Sequence, residues 1–116
     1  MKPCDINKLP DFIQISYGRN PEISGIYCCD LLSMALGKLK ENQILVTVIS
    51  NINTLAVAYQ KKASCIVIAE NIPQDNEFII TAEKYGITVF RTKLSTFEAA
   101  SVSYTHLRAH ETPEHL

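Results

Sequence analysis

Six polar residues stand where apolar runs stop: Asp30, Ser50, Asn51, Asn53, Glu70 and Arg91. Carboxylates, a hydroxyl, amides and a guanidinium at such places suit the binding of a small anion or nucleotide. In open parallel sheets, ligands bind outside the carboxyl ends of the strands. Ser50, Asn51 and Asn53 also open a helix, where free backbone N–H groups and the positive dipole end attract an anion. The same residues have plain structural uses. Asp30, Asn51 and Ser95 are of the types that cap helices. Glu70 and Asn71 precede Pro73 in a loop. Arg91, with Arg19 the only arginine before residue 108, can pair with an anion or with Glu70.

Catalytic chemistry has less to work with. The histidines are His106, His110 and His115, all near the end of the chain. Val102 to Thr112 resembles the translation of a transposon-type sequencing adapter. The domain is therefore expected to cover 1–101, cut within its last helix, with 102–116 an adapter-derived tail that no apolar period carries on from Phe97. Without Arg108, Glu111 and Glu114 the body holds ten basic and ten acidic residues. It then has no histidine for a nucleophile pair or a metal site. Vicinal Cys28 and Cys29 lack the C-x-x-C spacing of zinc and redox motifs. Cys65 lies among Ile and Val like a small core residue. Neither GxGxxG nor GxxxxGK[ST] occurs. The expectation is no catalytic constellation in 1–101, no metal and no cofactor.

The elements that must position the six residues are readable. Ile44–Ile49, Ala63–Ala69 and Ile87–Phe90 are short apolar runs. Asn51–Lys62 and Asp75–Tyr85 between them carry apolar residues on a helical period, and Gly86 ends the second. Strand-length runs alternating with helices give βαβ units, and continuous apolar runs are strands buried on both faces. Upstream, Asp11–Tyr17 alternates, Gly18-Arg19-Asn20-Pro21 is a turn cluster, and Glu22–Cys29 is a second strand. A hairpin between the two is expected. Asp30 suits the N-cap of a helix through Leu36, and Gly37 its C′ position. Ser95 and Glu98 have capping-box spacing for a last helix. The expected fold is a single α/β domain: an N-terminal β-hairpin, then a βαβαβ unit with a mainly parallel sheet.

The balance of charges, net −1, offers no basic stripe for nucleic acid. Lys38 and Lys40, with Lys61 and Lys62, are the local concentrations, and helix ends account for them. No apolar run reaches the roughly 18 residues of a membrane span, and no apolar signal core follows Met1. A cytoplasmic protein is expected.

Several stretches in this order resemble the DRTGG domain family. They are Gly25–Ser33 with Gly37 after it, Thr47–Ala58, Ile66–Glu70 and Thr92–Glu98. The chain is most similar to the short stand-alone members of clostridia-like bacteria, although the literal Asp-Arg-Thr-Gly-Gly string is absent. Asn51 stands where short members often have histidine. The resemblance implies a fold similar to the N-terminal domain of HPr kinase/phosphorylase and a non-catalytic regulatory or ligand-sensing module; a homodimer working through protein–protein contact is expected because a sheet this small leaves edges and apolar helix faces to cover. It also implies partners among signalling kinases or hydrogenase-associated proteins. The alternative function is a small nucleotide- or phosphate-binding accessory domain of a kinase or phosphotransferase system.

Overall fold

A computed structural model describes residues 1–111, with side chains through 110. In chain order the elements are α1 (Pro3–Ile6), β1 (Phe12–Ser16), β2 (Gly25–Cys28), α2 (Leu32–Lys38) and β3 (Gln43–Thr47). There follow α3 (Ile52–Lys61), β4 (Cys65–Ile68), α4 (Asn76–Lys84), β5 (Val89–Thr92) and α5 (Thr96–Glu111). The sheet order is β1-β5-β4-β3-β2. Strands β2 to β5 run parallel, and β1 joins β5 antiparallel. The expected βαβαβ unit is β3-α3-β4-α4-β5.

The sheet is buried from both sides. Leu45, Ile66, Ile68 and Val89 pack under α2, α3 and α4 with Leu55, Ala58, Phe78 and Ala82. Ile44, Val46, Cys65, Val67 and Phe90 pack on the other face with Ile6, Ala99 and Leu107. Every residue of β4 is fully buried. That double burial is why its sequence is uninterrupted apolar rather than alternating. Among the described residues no helix is long and apolar enough to cross a membrane.

The expected N-terminal hairpin does not form: β1 and β2 are the two opposite edges of the sheet. The intervening eight residues, 17–24, cross beneath the amino ends of the strands. Eight extended residues reach about 26 Å, against about 19 Å for four inter-strand spacings. The crossing is tied at each strand it passes. Gly18 N donates to Thr88 Oγ1 at 2.9 Å, and Arg19 N to Gly86 O at 2.9 Å. The Arg19 guanidinium reaches Ala63 O and Asn42 Oδ1, and Ser24 N reaches Asn42 O. A β-carbon on Gly18 would sit 2.1 Å from Gly86 O, so only glycine passes there. The turn cluster is thus a strap and not a hairpin turn.

Two helix ends also differ from expectation. Gly37 lies within α2, which stops at Lys38 with Leu39 as its C-cap. Helix α5 begins as expected, with Ser95 Oγ accepting from Glu98 N and Glu98 Oε1 accepting from Ser95 N, both at 3.1 Å. It then runs on through 102–111. Phe97 is 79% exposed and is the wrong residue from which to count the period. Counting from Ala99 gives Ser103 and Leu107, both buried, with Val102 packed beside them.

Ile66→Ala is expected to destabilise by about 2–5 kcal/mol through lost transfer energy and a cavity, read from the urea midpoint. A loss under about 1 kcal/mol contradicts a core strand. Leu107→Ala tests residues 102–111 in the same way. The packed helix predicts a loss in that same range of about 2–5 kcal/mol, whereas a passive tail predicts no change in midpoint.

Candidate functional site

At the carboxyl ends of the strands, the loop after β3 is shaped by Asp30. Its Oδ1 accepts from Thr47 Oγ1 and from Val48 N, both at 2.9 Å. Asp30 therefore does not cap α2; the N-cap residue is Leu31, with no side-chain bond. A carboxylate one strand away has captured the orphan N–H of the neighbouring loop. Asn51 does cap its helix: Oδ1 accepts from Asn53 N at 2.9 Å and Thr54 N at 3.4 Å. Asp75 caps α4 alongside, accepting from Phe78 N at 2.8 Å. Ser50 Oγ donates to Pro73 O at 3.1 Å and joins the two loops.

Ser50, Asn51 and Asn53 thus meet, lining a cavity of about 320 Å³ between the starts of α3 and α4. Asp75 and Glu77 line it too. Two carboxylates offset the positive ends of two helix dipoles, each worth about half a charge, and the cap oxygens are already engaged. The other three expected residues lie outside this cavity. Glu70 and Asn71 hold left-handed backbone (φ 63° and 56°), and their N–H groups bond Leu94 O and Thr92 O. Arg91 lies half-buried between its cross-strand neighbours Ile13 and Ile68. No Glu70–Arg91 ion pair forms among the described residues.

His106 and His110 are exposed on α5, across the sheet from this cavity, and His115 lies outside the described residues. No group of three or more His, Cys, Asp or Glu able to hold a metal ion occurs among the described residues. The cysteines are separate, with Cys4 exposed and Cys65 enclosed. Burial pushes the Cys65 thiol up to about 12. The Cys28 thiol is also raised, first by burial and then by the charges of Asp30 and Cys29. Neither is poised as a nucleophile, which needs a lowered value.

The opposite end of the sheet holds what the linear sequence concealed. The C-termini of α2 and α3 bring Lys38 and Lys40 to Lys61 and Lys62 around one open cavity of about 780 Å³. The two lysine pairs are some twenty residues apart in sequence, and only helix–helix packing shows that they share a groove.

Residues 24–104 match the family model of the DRTGG domain. The chain belongs to the DRTGG domain family. Among solved structures the chain is similar to the CBS and DRTGG domains of the regulatory region of Clostridium perfringens pyrophosphatase, solved in complex with an activator, diadenosine tetraphosphate. The TM-score is 0.62 at 15% identity, over 78% of this chain and 40% of that one. The likeness is one of fold, and this DRTGG domain spans less than half of that chain. No curated protein matches.

In thiol labelling at pH 8, exposed Cys4 is expected to react first, Cys28 more slowly, and Cys65 only after unfolding. Peptide mass spectrometry of the labelled chain reads the order. Cys65 leaves stability independent of pH below the ordinary thiol value of 9.0 and lowers it as the pH climbs from there towards 12, because the fold holds the proton more tightly than the unfolded chain. Labelling of Cys65 in the native state contradicts the enclosed strand.

Proposed function

We propose that this DRTGG domain senses a small ligand and reports it through protein–protein contact, with a second copy of itself as the partner. The observation that carries the contact is an apolar groove of about 500 Å³ between α3 and α4. Ile52, Leu55, Ala56, Tyr59 and Tyr85 line it. Ile52 is 43% exposed, Tyr59 60% and Tyr85 49%. Single exposed apolar residues are ordinary, but several around one groove mark an interaction surface. Homo-oligomers are the commonest way to cover such a surface.

The ligand half of the proposal draws on the fold neighbour, whose regulatory region was solved with a nucleotide activator. A nucleotide is therefore the first class to test. A ligand that binds only the folded state raises stability by about 2.7 kcal/mol at a hundredfold excess over its Kd.

Sedimentation at tens of micromolar is expected to show a dimer. Ala56→Glu places a carboxylate in the groove at an exposed helical position, where it leaves the fold intact. It is expected to give monomer with an unchanged far-UV spectrum. A monomeric wild type removes the second copy as the partner.

A further inference from the structure

Five of the eleven lysine and arginine side chains gather at the amino ends of the strands. Lys38, Lys40, Lys61 and Lys62 line the larger cavity. Glu41, Gln60 and Lys62 border both it and an adjoining cavity of about 550 Å³. Arg19, Tyr59 and Tyr85 line that second one. The two rings stand edge to face with centroids 5.3 Å apart. The two cavities adjoin as a groove with the four lysines towards one end and Arg19 and the two rings towards the other.

Helix C-termini account for part of this charge, since lysines there offset the carbonyl ends. The account falls short in magnitude. With Glu41 and about half a negative charge from each of the α2, α3 and α4 C-termini subtracted, the groove still holds about two and a half positive charges. None of the five cations forms an ion pair among the described residues. Arg19 is fixed by its bonds to Ala63 O and Asn42 Oδ1, at 3.3 and 3.1 Å, which use only part of its five-donor fork.

Lys62 adds a second kind of observation. It ends α3 with φ 58°, in the left-handed region. Glycine is the usual residue for that position. A lysine there is strained, and its side chain lies where the two cavities join.

We propose that this groove binds a nucleotide, with the phosphates on the lysines and Arg19 and the base against Tyr59 and Tyr85. Phosphate suits clustered cations. An aromatic base stacks on exposed aromatic side chains. For its purpose the inference rests on the regulatory reading. Tyr59 and Tyr85 line this groove and also the α3–α4 groove, so bound nucleotide and protein contact meet at the same two rings.

The test is calorimetric titration of the full chain with ATP, and with tripolyphosphate and adenosine in parallel. ATP is expected to bind more tightly than either fragment and more weakly as salt rises. Lys40→Glu should weaken ATP by about tenfold or more. Lys62→Gly should weaken ATP while the melting temperature holds or rises, an outcome that a purely structural lysine does not give. Lys93→Glu, the same charge change at the other end of the sheet, should leave ATP binding as it was. No heat at millimolar ATP overturns the proposal. So does binding that survives both Lys40→Glu and Lys62→Gly. Tripolyphosphate binding as tightly as ATP overturns the nucleotide class, because the rings then contribute nothing. A monomer that binds ATP keeps this inference and removes the self-contact, and a dimer that ignores ATP does the reverse.

Discussion

Strands β3 and β4 have no side open to water, and the rest of the molecule follows from that. A strand buried on both faces needs a helical layer over each. The α2–α4 layer covers one face, and α1 with α5 covers the other. Parallel pairing then puts every crossover helix in register with the strands. The helices of one layer start together at one end of the sheet and finish together at the other. Polar chemistry is excluded from the middle of the domain and is left only at these two ends.

The two ends differ in sign, and the side chains follow the backbone. Where α3 and α4 start, the chain places Asp75 and Glu77 beside the capping amide of Asn51. Where α2 and α3 finish, it places lysines. Both choices oppose the charge that aligned peptide dipoles leave at helix ends. At the amino ends of the strands the correction overshoots, and the surplus positive charge there is what makes that end the more anion-seeking of the two.

Much of this was legible in the linear sequence, and the parts that were not have a common cause. The β3-α3-β4-α4-β5 unit was readable because apolar runs and the Asn51 cap are local signals, as is the Ser95–Glu98 box that opens α5. What failed was every feature decided by a distant partner. The first strand alternates like half of a hairpin, but its partner lies some eighty residues on. Asp30 has the type of a cap, yet Thr47 and Val48 from the next strand claim its carboxylate. The stripe of α5 was hidden by Phe97, a large apolar residue that points to water. The lysine groove was split between two helix ends. Of the six polar residues picked from the sequence, three meet in one cavity because they belong to one loop and helix start.

The pairing of β1 with β5 also fixes an order of events. Phe12 lies opposite Thr92, so β1 has no partner until β5, some eighty residues on, has been made. Contacts this far apart in the chain are slow to form, because loop-closure entropy must be overcome before they give any return. Assembly can begin with the local crossovers of β2 to β5 and close with the N-terminal strand. During synthesis β1 remains an unpaired strand, and β5 gains its outer neighbour only when that earlier strand folds back onto it.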